Sequence, residues 1–181
     1  MSVRQKTFEK LKQDQNLIDL YRDHLSNESL TGVVTDFSDT FVYLSLFRDE
    51  GLPNGIAVVY ITDVTRIRWG GNARLSISQL ITANGATPLT PAINLTSLRE
   101  VIESIQAQFG YVNILTEHMN DAVTFIAEVE EIDDQAVVLH GYGTMDTRDR
   151  SHMLLYLANI SRIDAEAPYE KSIHNLFSKL V

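Results

Sequence analysis

The sequence has no cysteine among its 181 residues, and this absence excludes several kinds of site. Disulfide frameworks, cysteine-ligated zinc and thiol nucleophiles all depend on cysteine side chains. No apolar run approaches the roughly 20 residues that a membrane-spanning helix needs. The N-terminal stretch "MSVRQKTFEKLKQDQ" lacks the apolar segment of a secretory signal. We therefore expect a cytoplasmic protein that does not bind membranes.

Basic residues are scarce relative to acidic ones. The chain has 15 Lys and Arg against 24 Asp and Glu, which gives a net charge of −9 at pH 7. Residues 1–90 carry nine basic and ten acidic side chains, whereas residues 91–181 carry six and fourteen. Nucleic-acid-binding proteins usually concentrate basic residues on one face. The charge balance thus disfavours RNA binding and leaves room only for a local basic groove in the first half.

What the sequence does contain is an internal repeat. The stretch "YITDVTRIRW", which begins at Tyr60, returns as "YLANISRIDA" from Tyr156, 156 − 60 = 96 positions later. At this offset six of the 21 positions from Tyr60 to Leu80 are identical. Towards the N-terminus the offset falls to 95 and then to 94, as loop insertions in a duplicated sequence would produce. We predict a first unit at 1–84, a linker at 85–95 and a second unit at 96–181.

Each unit is predicted to begin and end with a helix. Residues 3–15 and 97–109 show helical spacing of apolar side chains. Asn16 and Gly110 are predicted to end these helices in a left-handed conformation, and Thr96 to cap the second one. The closing helices are predicted in "ARLSISQLI" for the first unit and in "PYEKSIHNLFSKLV", which reaches residue 181, for the second.

Five short strands are predicted between the helices of each unit. In the first unit they cover 17–24, 29–37, 40–47, 55–61 and 64–69. The dipeptide "NG" at 54–55 is predicted to close the hairpin between the third and fourth strands. The predicted fold class is therefore mainly β with flanking helices (α+β), built from two tandem helix–five-stranded small β-barrel–helix units.

This plan resembles the Sm-like and SH3-like small barrels. It is also similar to uncharacterised bacterial barrel proteins of unknown function, with the likeness carried by Thr31 to Val34, Asp39 to Leu44 and Asp63 to Ile67. The resemblance implies a fold and no assigned activity. Sm-like proteins place an Asn shortly after the motif Asp, whereas "TFVY" follows Asp39 here. The RNA-reading residues of that family therefore do not carry over.

Five residues of the first unit are candidate ligand or partner contacts: Phe41, Tyr43, Arg66, Arg68 and Trp69. Aromatic faces interleaved with guanidinium groups are typical of single-strand binders. The alternative, which we favour, is that Tyr60 and Ile67 pack a barrel core while Trp69 covers a seam, and that Arg66 binds a turn tied by an Asp side chain or the neighbouring strand.

No catalytic, cofactor or metal site is predicted. The five histidines show no His-x-x-x-His spacing, and the acidic stretch "EVEEIDD" lacks the glycine turn of a calcium loop. No phosphate loop or Gly-x-Ser-x-Gly motif occurs. We therefore predict a non-enzymatic binding or regulatory module that acts through contacts with a protein partner or through self-association. The alternative is an Sm-like single-stranded RNA-binding protein that uses the first barrel.

Overall fold

The computed structural model describes residues 1–119 and 123–178. The chain divides into two compact units, Met1–Thr90 and Pro91–Val181. Within the described residues, no helix is both long and apolar enough to cross a membrane.

The first unit consists of two helices and five strands. Its elements are α1 (Val3–Asp14), β1 (Ile18–Tyr21), β2 (Leu30–Phe37), β3 (Phe41–Phe47), β4 (Pro53–Tyr60), a single 3-10 turn (Ile61–Asp63), β5 (Arg66–Trp69) and α2 (Asn72–Ala83). The strands pair antiparallel in the order β5-β1-β2-β3-β4. The short 3-10 turn sends the chain from β4 back to the first strand of the unit, where β5 pairs with β1.

The second unit has the same sequence of elements. They are α3 (Leu98–Phe109), β6 (Val112–Leu115), β7 (Thr124–Ile132), β8 (Ala136–Gly141), β9 (His152–Tyr156), a 3-10 turn (Leu157–Asn159), β10 (Arg162–Ala165) and α4 (Pro168–Ser178). The strand order is β10-β6-β7-β8-β9, again antiparallel. The predicted continuation of the last helix to residue 181 lies outside the described residues.

The backbone pairing leaves each five-stranded sheet open. Among the described residues, β4 does not pair with β5, and β9 does not pair with β10. The predicted β-rich unit with flanking helices is therefore confirmed, whereas pairing around a closed barrel is not shown.

Helix ends follow the predicted chemistry with shifts of one residue. α1 ends at Gln15, which adopts the left-handed conformation (φ 51°) predicted for Asn16. α3 is capped by Ser97, whose hydroxyl accepts the Glu100 backbone N–H, and not by Thr96. Gly110 ends α3 with φ 80°, as predicted. Neighbouring residues with similar capping ability compete for these positions, so the exact boundary depends on the packing of the helix.

The predicted "NG" hairpin closure is wrong because β4 already begins at Pro53. The turn is made earlier, where the Gly51 N–H donates to the Arg48 carbonyl and the Arg48 N–H to the Leu52 carbonyl. Gly51 has φ 74°, a left-handed conformation that glycine adopts without steric cost. Gly55, also at positive φ, instead lies inside β4, next to an irregularity in the β3–β4 register.

Each unit buries a polar contact between its closing helix and its first strand. In the first unit, Arg74 of α2 binds Asp19 of β1. In the second, Asn113 of β6 donates to Glu170 of α4 over 2.6 Å. All four residues are less than 10% exposed. The first contact pairs two buried charges and the second gives a buried carboxyl a hydrogen-bond donor, so both contacts anchor the closing helix.

Candidate functional site

A groove lies between α1 and the edge strand β5 of the first unit. It comprises two adjoining hollows of about 440 and 250 Å³. Both are lined by Val3 and Thr7 of α1 and by Trp69 of β5. We refer to these two hollows together as the α1–β5 groove.

The floor of the α1–β5 groove is apolar. Phe8, Ile61, Val64 and Ile67 line the larger hollow, and Leu11 lines the smaller one. These side chains belong to, or pack against, the hydrophobic core that α1 covers. The floor is therefore a rigid part of the unit.

α1 is stabilised internally at its start and packs on the sheet through its buried face. A capping box at its start pairs the Ser2 hydroxyl with the Gln5 N–H and the Gln5 side chain with the Ser2 N–H. Farther along, Phe8 stacks on Phe37 of β2, with ring centroids 5.4 Å apart. The helix is thus held at its first turn and at its buried face.

The rim of the groove is basic. Arg4, Lys6 and Lys10 are exposed on α1, and Arg66 lies on the opposite side. Among the described residues, no Asp or Glu lines either hollow. In a chain of net charge −9 this is a local reversal of sign, which favours an anionic ligand group.

Large apolar side chains are exposed at the mouth of the groove. Trp69 is 52% exposed and Val3 is 84% exposed. Tryptophan is enriched in binding hot spots because its ring combines a large apolar area with one hydrogen-bond donor. The groove therefore offers an aromatic anchor beside cationic side chains.

Arg66 is committed to a structural contact. Its guanidinium makes two hydrogen bonds of 3.0 Å to the Asp23 carboxylate and lies 3.5 Å from the centroid of the Tyr21 ring. The hydrogen bonds from Arg66 and then from Thr65 lower the pKa of Asp23 to about 2. Arg68 donates to the Tyr21 hydroxyl over 3.3 Å. Arg66 therefore binds the turn that follows the neighbouring strand β1.

The five candidate contact residues do not form one surface. Arg66, Arg68 and Trp69 lie together on β5, but Phe41 and Tyr43 of β3 are only 2% and 1% exposed. Phe41 packs against Tyr60, with ring centroids 4.9 Å apart. Every residue of β3 is buried, so both faces of this strand are covered. The prediction that Phe41 and Tyr43 contact a ligand directly is therefore corrected, because both side chains lie in the core.

Sequence reasoning missed the contribution of α1 to the groove. The pattern of Arg4, Lys6 and Lys10 was visible in the sequence, but which strand would face this helix was not. The spacing of Val3 and Thr7, one helical turn apart, was the available signal for a shared face.

A second constellation, also unforeseen, lies in the second unit. Glu130 of β7, His140 of β8 and His152 of β9 place a carboxylate oxygen and two ring nitrogens within 4.8 Å of one another. The residues are separated by ten and twelve positions in sequence, so no short motif reveals them. Strand pairing alone brings them together, since His140 and His152 are directly paired.

Comparison of the chain with protein-family models, with curated proteins and with solved structures gives no match.

Proposed function

We propose that this chain is a non-enzymatic interaction module whose α1–β5 groove binds an acidic segment of a partner protein that also carries apolar side chains. The observation that carries the proposal is an apolar groove with Arg4, Lys6 and Lys10 on its rim, with no Asp or Glu among its described lining residues, and with Trp69 exposed at its mouth. An acidic and apolar peptide complements both properties of this surface.

The edge strand supports binding of an extended segment. Among the described residues of the first unit, β5 pairs with β1 alone, so its outer backbone groups are available to a further strand. Added strands obtain affinity from backbone hydrogen bonds and specificity from pockets that receive alternate side chains. The α1–β5 groove supplies such pockets next to Ile67 and Trp69.

The same surface is less suited to single-stranded RNA. Single-strand binders usually stack successive bases on several aromatic platforms. Here Phe41 and Tyr43 are buried and the ring of Tyr21 is covered by Arg66. Trp69 is the one aromatic side chain of the five candidate contacts that remains exposed, which favours the protein-binding proposal.

We also propose that the two units are duplicates of a small barrel of the Sm-like or SH3-like type. Support comes from the shared strand order, in which the fifth strand returns to the first, and from the 3-10 turn before that strand in both units. The two 3-10 turns begin at Ile61 and Leu157, an offset of 157 − 61 = 96, as in the sequence repeat. The barrel proposal concerns the fold and adds no activity.

The proposal is tested by titrating the full chain with a labelled peptide that alternates Asp and Leu. Anisotropy reports binding, and the emission of Trp69, the single tryptophan, reports whether the groove is occupied. We expect saturable binding that weakens with salt, together with a change in Trp69 emission. The double substitution Lys6→Glu and Lys10→Glu is expected to weaken binding by about tenfold or more, because two attractive rim charges become repulsive.

Arg48→Glu is the matched control, since Arg48 is exposed in the same unit but does not line the groove. It is expected to leave the affinity unchanged. A peptide that alternates Lys and Leu, and oligo-U RNA, complete the panel. Binding of RNA without binding of the acidic peptide would replace the proposal by the RNA-binding alternative. Equal losses in the control and the groove variant, or no binding at all, would refute the groove as the binding surface.

A further inference from the structure

The geometry points to a second, separate site: we propose that Glu130, His140 and His152 of the second unit bind a divalent transition-metal ion of the Zn²⁺ type. The site is independent of the α1–β5 groove and of the proposed peptide ligand. It rests on one carboxylate and two imidazoles presented by three neighbouring strands.

The ligand atoms are already close to the spacing that a metal requires. The Glu130 carboxylate lies 2.9 Å from His152 Nδ1 through one oxygen and 3.8 Å from His140 Nδ1 through the other. A metal bound at about 2.0–2.2 Å by nitrogen and oxygen ligands holds tetrahedral neighbours roughly 3.4 Å apart. These two separations run to different carboxylate oxygens, and one oxygen together with the two ring nitrogens lies within 4.8 Å, so the three side chains must draw closer together to bind an ion.

The two imidazoles are presented together by strand pairing. His140 of β8 and His152 of β9 are direct cross-strand partners, and their rings are nearly parallel with centroids 4.3 Å apart. Directly opposed residues on antiparallel strands have their side chains on the same face of the sheet. Both Nδ1 atoms consequently face the same carboxylate.

A β-bulge positions the third ligand. The register between β7 and β8 shifts between Val129 and Glu131, which leaves Glu130 as the additional residue without a direct partner on β8. Bulges redirect a side chain and are over-represented beside functional sites. In this unit the additional residue, Glu130, is the one whose carboxylate contacts both histidines.

The first unit shows that the paired strands form without counterparts of Glu130, His140 and His152. A bulge occurs there too, between Val34 and Asp36, with Thr35 as the additional residue. The cross-strand pair that corresponds to the two histidines is Ser45 and Ile56, at the repeat offsets 140 − 95 = 45 and 152 − 96 = 56. The strand pairing is thus the same in both units, whereas metal-binding side chains are present only in the second.

The corresponding face of the first unit is also covered by its own chain. The Leu89 N–H donates to the Ser45 hydroxyl over 2.7 Å, and both Ser45 and Ile56 are buried. In the second unit Glu130 and His152 are exposed and His140 is half-buried. An ion can therefore reach the three ligands from solvent.

The ligand set selects the class of metal. Neutral imidazole together with carboxylate suits Zn²⁺ and related transition metals, whereas Ca²⁺ and Mg²⁺ prefer all-oxygen sites with more ligands. Glu128 lies 4.0 Å from His140 Nδ1, but its carboxylate accepts hydrogen bonds from Tyr142 and Arg150. Its charge adds attraction for a cation without serving as a ligand. Three protein ligands leave one tetrahedral position for water or for a group from another molecule.

The test is isothermal titration calorimetry of the full, metal-free chain with Zn²⁺, and with Mg²⁺ as the contrasting ion. We expect one saturable Zn²⁺ site per chain and no comparable Mg²⁺ binding. Because each ligand supplies one of three bonds, His152→Ala and Glu130→Gln are each expected to weaken Zn²⁺ binding at least tenfold. Co²⁺ provides a second readout, since its visible absorption distinguishes tetrahedral binding by the protein from the hydrated ion.

The matched control is His24→Gln, which removes an exposed histidine that lies 3.6 Å from a carboxylate oxygen of Asp63 in the first unit. Zn²⁺ affinity is expected to be unchanged in this variant. Circular dichroism of each variant verifies that it is folded, and Glu130→Gln retains the size of the side chain. The proposal is overturned if Zn²⁺ gives no saturable binding, if His140→Ala with His152→Ala binds as the parent does, or if His24→Gln causes the same loss.

Discussion

The most direct physical prediction concerns Glu170, the carboxylate at the start of α4. One of its oxygens accepts the Asn113 side-chain N–H over 2.6 Å, and the other accepts the Ala167 backbone N–H over 3.1 Å. Glu170 is only 4% exposed. Burial, and then the nearby charge of Asp164, raise its pKa from 4.5 to about 7, against the opposing hydrogen bonds and the charge of Arg162. The charged form is therefore disfavoured in the folded chain.

The sign of the pH dependence follows from proton binding. Between pH 4.5 and pH 7 the folded state retains a proton on Glu170 that the unfolded state has lost. The contribution to the free energy of unfolding is therefore complete below pH 4.5 and decreases as the pH rises through 7. At about 1.4 kcal/mol per pKa unit, the decrease amounts to roughly 3 kcal/mol. The Glu170→Gln variant has no carboxyl group to titrate at this position. The substitution therefore changes the free energy of unfolding only by an amount that does not depend on pH.

The assay is urea unfolding of the parent chain and Glu170→Gln at a series of pH values from 4.5 to 8, followed by circular dichroism. The difference in free energy of unfolding is expected to shift by about 3 kcal/mol in favour of the Gln variant across this range. Glu9→Gln, at an exposed position of α1, is the control and is expected to show no such shift. A difference for Glu170→Gln that stays constant with pH would refute the argument that burial keeps this carboxyl protonated.

Three further predictions concern stability measured by the same urea titration. Arg74→Met leaves the buried Asp19 carboxylate without its charge partner and is expected to cost about 3–5 kcal/mol; near-neutrality would contradict the role of this pair. Gly32→Ala would place a Cβ 2.3 Å from the Ser45 carbonyl oxygen, so we expect a loss of at least about 1–3 kcal/mol, and an unchanged midpoint would contradict this packing. Ile102→Ala empties a fully buried position of α3 and is expected to cost about 2–5 kcal/mol, whereas a cost below about 1 kcal/mol would contradict its core position.

Much of the secondary structure could be predicted from local signals. The helices α1 and α3 follow from apolar spacing and capping residues. The hairpin turn between β3 and β4 could not be predicted as well, because both Gly51 and "NG" at 54–55 carry turn chemistry. The choice between them depends on the register with β3, which is a long-range property.

The candidate sites were harder to predict than the strands. Trp69 and Phe41 look alike in sequence, as aromatic residues in short strands, yet one is exposed and the other buried. β5 lies at an edge of its sheet and β3 in the interior, and only the topology distinguishes them. The pairing of His140 with His152 is hidden for the same reason, because it depends on register and not on spacing along the chain.

The two units indicate where function should be sought, because they agree in framework and differ in surface chemistry. A buried contact joins the closing helix to the first strand at the same position in both units. Its side chains differ: they are Arg74 and Asp19 in the first unit, and Glu170 and Asn113 in the second.

The surface differences are of another kind, since each is confined to one unit. α1 carries four basic side chains, whereas α3 carries only Arg99, which is paired with Glu103. The position that corresponds to Trp69 in the second unit is occupied by Ala165. The metal-binding side chains occur in the second unit only. If both surfaces were by-products of a shared fold, each unit would display both of them. The groove and the histidine cluster thus lie in different units, and we expect variants of one to leave the other's ligand affinity unchanged.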